Sequence, residues 1–317
     1  MISVVMSVYN EKIEWIKEAV NSILNQTYKK IEFIIIIDNP NLDREIKKYL
    51  QFLSNKDSRV IVYENHENIG LAKSLNRGIA LASGDYIARM DADDISLPNR
   101  LALELEFLVK SNSDMVSSIK NNIDETGKLL SKDQLIRRDP NKTLQYGNII
   151  VHSSVLIKAE VIKAMNGYRD MVNSEDYDLW LRLIENGYRI SILNEPLILY
   201  RIRSNSASVK RQLEQYYVTR YILKLRNERK YKGFDSFSKY NLNKFLLSKN
   251  FSKHKKIKFE IANKNLECAI WEIQRGKRIL GIFCVFKSFL YSPSYVAERI
   301  YCQIQIRKKS IFENGAL

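Results

Sequence analysis

Over the first 110 residues, short β-branched runs alternate with stretches of helical period, and this alternation constrains the fold more than any other feature of the chain. Residues 2–8 and 33–37 are almost wholly apolar, the pattern of strands buried on both faces. Between them Trp15, Ile16, Ala19, Val20, Ile23 and Leu24 recur as on one face of a helix. Ile46, Tyr49, Leu50 and Leu53 mark a second helix, and residues 60–63 a short strand. Leu71, Leu75, Ile79 and Ala82 mark a third helix, which Gly84 stops. Residues 86–90 then read as a strand running straight into Asp91-Ala92-Asp93-Asp94, and residues 97–109 are helical again. Such alternation predicts an α/β fold, a mainly parallel sheet flanked by helices. Ligands of these sheets bind beyond the carboxyl ends of the strands. Three polar clusters fall there: Tyr9-Asn10-Glu11, Asp38, and Asp91 to Asp94.

From 111 to 205 the pattern is mixed. Residues 151–157, 190–193 and 197–200 read as strands, and a helix starting near Glu175-Asp176 carries Leu179, Trp180, Leu183 and Ile184 on one face. After Ser208 the helical period dominates. The charge changes over the same stretch: residues 1–200 hold 25 Lys and Arg against 28 Asp and Glu, whereas residues 201–317 hold 26 against 8. The chain therefore divides into a domain over 1–208, with halves 1–110 and 111–208, and a basic helical region over 209–317. With 45% hydrophobic residues, eleven Gly and five Pro, disordered and collagen-like classes are excluded. Cys268, Cys284 and Cys302 form no CxxC pair and sit among apolar residues, so buried free thiols in a reducing cytoplasm are expected. No basic-then-apolar leader opens the sequence, and the run 279–286 falls well short of the ~20 residues of a spanning helix. A cytoplasmic location is expected.

Asp91-x-Asp93, with Asp94 adjacent, ends an otherwise apolar strand. Paired hard-oxygen ligands suit Mg²⁺ or Mn²⁺, which keep waters and take further ligands from a diphosphate. An isolated D-x-D is more often an acidic turn, so its context decides. A calcium loop is excluded, because Ser96 and Ala102 stand where an EF-hand needs Gly and Glu.

That context is specific. Asn68-Ile69-Gly70-Leu71-Ala72-Lys73-Ser74-Leu75-Asn76-Arg77-Gly78, Ala82-Ser83-Gly84-Asp85-Tyr86, the acidic cluster and Pro98-Asn99-Arg100-Leu101 together resemble the signature of family 2 glycosyltransferases. Ser3-Val4-Val5-Met6-Ser7-Val8-Tyr9-Asn10, Asn25-Gln26-Thr27-Tyr28 and Asn173-Ser174-Glu175-Asp176-Tyr177-Asp178-Leu179-Trp180 match as well. The resemblance covers about residues 1–205. It implies a GT-A fold and inverting, metal-dependent transfer of a single sugar from a nucleotide-diphosphate sugar, usually a UDP-sugar. The acceptor would be a saccharide or lipid-linked saccharide in bacterial surface polysaccharide assembly. It implies Asp38 at the nucleobase imide, Ser7, Tyr9 and Glu11 around base and ribose, and Lys73 near the phosphates. Asp91 would bind ribose or support the metal, Asp93 would hold the Mn²⁺ or Mg²⁺, and Asp176, beside Glu175, would be the catalytic base.

The sequence departs from the pattern at Ile37 and Asn39-Pro40, and Arg203 stands where many members carry His. Arg cannot ligate a metal but can pair with a phosphate. His152 is left out of the catalytic set. No Gln-x-x-Arg-Trp element is present, which points away from processive polymer synthesis. A sugar nucleotidyltransferase would need a Gly-rich loop where the chain has Ser7-Val8-Tyr9-Asn10-Glu11. A non-catalytic membrane- or polyanion-binding protein on a degenerate transferase domain is the alternative.

The basic region carries Lys253-His254-Lys255-Lys256, Lys277-Arg278 and Arg307-Lys308-Lys309 among apolar stretches. It reads either as a peripheral attachment to the anionic inner face of the cytoplasmic membrane, or as a small helical domain with Ile279, Phe283 and Phe286 in its core. No nucleic-acid reader module accompanies the charge, so nucleic acid is not an expected partner.

Overall fold

The computed structural model describes residues 1–132, 138–203, 210–249 and 251–311. The elements in the first part are β1 (Ile2–Val8), α1 (Ile13–Leu24), β2 (Ile31–Ile37), α2 (Arg44–Lys56), β3 (Val60–Glu64), α3 (Leu71–Leu81) and β4 (Tyr86–Asp91). There follow β5 (Ile95–Ser96), α4 (Arg100–Lys110), β6 (Met115–Ile123), β7 (Leu129–Lys132), α5 (Pro140–Thr143), β8 (Val155–Lys158), α6 (Ala159–Ala164), α7 (Glu175–Glu185) and β9 (Ile190–Arg201). Among the described residues they build one nine-stranded sheet of order β3-β2-β1-β4-β8-β6-β9-β5, with β7 on β6. The long ladders are parallel, namely β1–β2, β1–β4, β2–β3 and β6–β9. Short antiparallel ladders complete the sheet at β4–β8, β6–β8, β6–β7 and β5–β9. The α/β architecture expected from the alternation is the one found.

Two chain compact units emerge. One holds residues 1–141, 148–171 and 175–206, and the other holds 142–147, 172–174 and 207 onward. In the first, Val4, Met6, Phe33, Ile35, Ala88 and Met90 form the inner face of the sheet, buried against Ile16, Val20 and Ile23 of α1. The apolar strands are thus covered on both faces, as parallel sheets require.

Local departures from the sequence pattern have physical causes. The two strands read at 190–193 and 197–200 are one strand, β9, whose register on β6 slips around Ile119 as the partner passes from Leu193 to Pro196. Pro196 has no N–H to give to a ladder, and an irregularity absorbs that loss. The strand read over 151–157 begins only at Val155, because His152–Ser154 form a 3₁₀ turn. Of the cysteines only Cys284 is buried; Cys268 is exposed and Cys302 intermediate. The expectation of three buried thiols is therefore corrected: Cys268 lies on the outer side of its helix, though its sulfur is 3.2 Å from that of Cys284.

Gly84 is where the β1 edge meets the start of β4. A Cβ there would lie 2.8 Å from Ser3 N and 2.9 Å from Met1 O, while Gly84 N–H donates to Ser3 Oγ at 2.8 Å. Backbone cannot move aside as a side-chain tip can. Gly84→Ala is expected to cost about 1–3 kcal/mol by overpacking. Denaturant melts read this, and an unchanged midpoint contradicts the close approach.

The second unit is helical: α8 (Gln212–Lys232), α9 (Lys239–Leu247), α10 (Lys253–Gln274), α11 (Arg278–Tyr291) and α12 (Pro293–Ile311). Its core is Leu213, Phe259, Ala262, Tyr295 and Val296, with Tyr216 stacked among Phe259 and Tyr295. Ile279, Phe283 and Phe286 are exposed and not in that core. Instead α11 buries its small residues Gly281, Cys284 and Ser288, at i, i+3 and i+7. A Cβ on Gly281 would reach 2.4 Å from the Ile273 side chain of α10, so the narrow face fixes the helix packing and turns the large apolar face outward.

Candidate active site

The parallel ladders align the carboxyl ends of β1, β2 and β4. Ser7 pairs with Ile36 on one side and Asp91 on the other, and Val8 pairs with Ile37. Ser7, Tyr9, Asp38 and Asp91 are thereby brought to one edge, as the sequence predicts. Glu11 accepts from the backbone N–H of Tyr9 at 2.8 Å and of Asn10 at 3.2 Å, and Asn39 Nδ2 donates to Tyr9 O at 2.8 Å. Glu11 thus shapes the turn that presents Tyr9, which is 48% exposed. Lys73 stands exposed in the first turn of α3.

Asp38, which the resemblance implies at the nucleobase imide, also has partners within the protein. It is buried, and its oxygens accept from Asn65 Nδ2 at 2.8 Å, Ile69 N–H at 2.9 Å and Gly70 N–H at 2.9 Å. Three internal donors occupy three of the roughly four lone-pair sites of the carboxylate. Asp38 anchors the 65–70 loop at the head of α3, and Asn65 extends that network to Ser74 and Arg77.

Asp91, Asp93 and Asp94 follow β4. Asp93 and Asp94 are buried, and desolvation together with the neighbouring carboxylates pushes Asp93 up to about 8 and Asp94 up to about 7. Oδ2 of Asp94 is buried and makes no hydrogen bond. The donors of this cluster are all hard oxygens, so it fits a divalent cation. Among the described residues no group of three or more His, Cys, Asp or Glu side chains is arranged around a metal.

Arg203 and two arginines that no motif singles out, Arg89 and Arg201, hold this cluster. Arg89 in β4 is 4% exposed and ion-paired to Asp91, with Nε lacking a hydrogen bond. Arg201, at the end of β9, gives its N–H to Asp94 Oδ1 at 2.9 Å and its Nε to Asp93 O at 2.9 Å, and reaches Glu18 at 2.5 Å. Arg203 Nε lies 2.7 Å from Asp93 Oδ2. An arginine inside a strand otherwise buried is itself a signal, since such a charge must be paired.

Glu175 and Asp176 open α7, where the helix dipole favours carboxylates. Burial, then the charge of Asp176, pushes Glu175 up to about 8. Burial also raises Asp176, against hydrogen bonds from its helix backbone and from Asn148 Nδ2 at 2.8 Å. Arg89 acts on both carboxylates, and the charge of Asp91 acts on Glu175. The D-x-D edge and the α7 carboxylates therefore share one electrostatic environment within the first unit. His152 lies under this region, its Nε2 3.0 Å from Tyr168 OH and its ring edge-on to Trp180. Burial first, and Arg89 second, hold it well below the ordinary histidine range, so it is a neutral packing residue.

The motifs that looked like punctuation are braces. Arg100, fully buried, pairs with Glu104 at 3.1 Å and donates to Arg89 O and Ser153 O, both at 2.9 Å. Gln26 binds Leu97 O at 2.7 Å and accepts from Leu101 N–H at 3.0 Å. Asn76 exchanges two bonds with the Tyr168 backbone, at 2.7 and 2.8 Å, and fills the space where a Cβ on Gly167 (φ +64°) would sit.

A mainly parallel α/β sheet with a D-x-D at its strand ends, and an acidic helix N-terminus in the same unit, is a GT-A-like architecture, and the comparisons agree. The profile of glycosyl transferase family 2 matches residues 3–164, and the chain belongs to that family. It is 35% identical over 228 residues to the O-antigen biosynthesis glycosyltransferase WbnJ of Escherichia coli, covering 71% of this chain and 88% of WbnJ. It is 33% identical to the putative glycosyltransferase EpsE of Bacillus subtilis, covering 70% and 80%. In fold it is similar to S. aureus TarS 1-349, solved in complex with UDP-GlcNAc, with a TM-score of 0.60, 15% identity, and coverage of 98% and 89%. It is also similar to the mannosyltransferase PcManGT of Pyrobaculum calidifontis, solved with GDP-Man and Mn2+, with a TM-score of 0.56, 17% identity, and coverage of 98% and 87%. The protein is a glycosyltransferase with relatives in polysaccharide biosynthesis.

Proposed function

We propose that the protein moves one sugar from a nucleotide-diphosphate sugar, a UDP-sugar in the first instance, to a saccharide or lipid-linked saccharide acceptor with inversion. The observation that carries this reading is the alignment of strand ends, where Ser7 of β1 pairs with Asp91 of β4, Val8 pairs with Ile37 just before Asp38, and Asp93 follows two residues after Asp91. The names of TarS and PcManGT, solved with UDP-GlcNAc and with GDP-Man and Mn2+, support the donor class and a metal. Asp93, with Asp91, would hold a divalent ion. When bound, the ion would offset the charge that builds on the departing diphosphate. Asp176 accepts the proton of the attacking hydroxyl, with Glu175, pushed up to about 8 by burial and by Asp176, beside it. Ser7, Tyr9 and Glu11 border base and ribose, Asp38 holds the loop beside them, and Lys73 lies toward the phosphates.

A donor screen over UDP- and GDP-sugars, read by mass spectrometry with and without Mn²⁺, tests the reading. No transfer or donor hydrolysis from any donor would return the non-catalytic alternative. The pH profile tests the base separately. Asp176 must be ionised to act, and burial lifts it above the ~3.9 of a free aspartate. Activity should therefore fall as pH drops through that raised value; a rate flat down to pH ~4 removes Asp176 from its role.

A membrane-facing role for the second unit rests on α11. Ile279 is 87% exposed, and Ile282, Phe283, Phe286 and Leu290 are exposed with it, bordered by Arg275, Lys277, Arg278 and Lys287. No helix among the described residues is long and apolar enough to cross a membrane. An apolar face rimmed by cations fits the surface of an anionic leaflet. Ile279→Glu with Phe283→Glu should abolish flotation with phosphatidylglycerol vesicles; unchanged flotation contradicts the assignment.

A further inference from the structure

The cation paired with Asp93 belongs to the protein itself. Arg203 Nε lies 2.7 Å from Asp93 Oδ2, with three-quarters of the side chain out of solvent. Its guanidinium carbon is 5.7 Å from the centre of the Trp15 ring, and that of Arg201 is 5.5 Å from the same ring. Trp15 is itself fixed, its Nε1 donating to Glu125 O at 3.1 Å. Two residues back, Arg201 is tied through its backbone to Asp94 and through its side chain to Asp93 O, Asp124 O, Glu125 O and Glu18. The chain entering Arg203 is therefore held, and the guanidinium is delivered to one carboxylate oxygen by a rigid strand end and an aromatic wall.

An arginine cannot ligate a metal, yet it supplies the positive charge a buried aspartate lacks. On the reading that Asp93 holds the divalent ion, the same oxygen cannot serve both cations. We propose that Arg203 is the resident counter-ion of Asp93 in the donor-free protein and competes there with the divalent ion, so that metal binding depends on the nucleotide diphosphate. A diphosphate offers the guanidinium a bidentate partner of its own. Arg203 then moves its charge from Asp93 to a phosphate, and Asp93 becomes available. The order of assembly follows: the free protein binds metal poorly, and metal and nucleotide bind together.

The test is Mn²⁺ binding followed by the electron paramagnetic resonance signal of free Mn²⁺, on the full chain, with no nucleotide and then with UDP or GDP. Without nucleotide, Arg203→Ala and Arg203→Gln should bind Mn²⁺ at least ~10-fold more tightly than wild type, because a charge a few ångströms from the ion has gone. Arg203→Lys should stay close to wild type. Adding nucleotide should tighten Mn²⁺ binding more in wild type than in Arg203→Ala. Two neutral variants guard against one failing to fold, and a thermal melt identifies it. Equal Mn²⁺ affinity in wild type and both neutral variants overturns the proposal, as does the absence of Mn²⁺ binding in all of them. Asp93→Asn in the Arg203→Ala background separates the two layers. Loss of Mn²⁺ binding, read as a return of the free-ion signal, supports Asp93 as ligand whatever Arg203 does, and unchanged binding removes Asp93 and the proposal with it.

Discussion

Asp176→Asn is expected to lower kcat by about 10²–10⁴-fold, the usual weight of a general base. Asn keeps the size and the bond to Asn148 but cannot take a proton. Donor affinity should hold within about threefold, because the nucleotide is bound at the other edge of the site. Turnover with the preferred donor and nucleotide titration of the same preparation read the two quantities apart. A variant that keeps its rate shows that the proton leaves elsewhere. Glu175 is then the neighbour to vary, since it lies on the same helical turn and holds its proton to about 8.

Arg100→Met is expected to destabilise the first unit by about 3–5 kcal/mol, the cost of stranding one partner of a buried ion pair. Both side chains of the Arg100–Glu104 pair are fully buried, and Ser118 Oγ donates to Glu104 at 2.9 Å. At about 2–4 °C per kcal/mol, the melting midpoint should fall by roughly 6–20 °C. A shift under 2 °C would mean that the pair is replaceable. The same carboxylate sets a pH dependence. Burial pushes Glu104 up to about 7 from the 4.5 of the unfolded chain. Its contribution to stability is fully present below about 4.5 and is lost as pH rises through about 7. Glu104→Gln should flatten that part of the stability curve.

Much of the fold is legible from period alone. β1, β2 and β4 are short, mainly apolar and bounded by turn residues, so their type and the edge they form follow from composition. The second half is less legible, because β6, β7 and β8 pair in short antiparallel ladders whose residues are half polar. Ser117 and Ser118 on β6 bind Ser154, a contact no local pattern announces. At the site, the acidic residues are visible because a carboxylate at the end of an apolar strand is unusual. Arg89, Arg201 and Arg203 are harder to see as a set: 112 residues of chain separate Arg89 from Arg201, and only the sheet order brings them to one cluster. Asp38 shows the opposite limit. Its place in a motif suggests a ligand contact, and no local pattern announces the three bonds it also accepts from Asn65, Ile69 and Gly70.

The most direct test of the account is a crystal structure of the protein with Mn²⁺ and a non-transferable UDP-sugar. The diphosphate should lie on a metal held by Asp93, with Arg203 turned to a phosphate oxygen. The anomeric carbon should present to Asp176 the face opposite the leaving oxygen. A nucleotide bound away from the ends of β1 and β4, or Asp176 turned from the sugar, would contradict it.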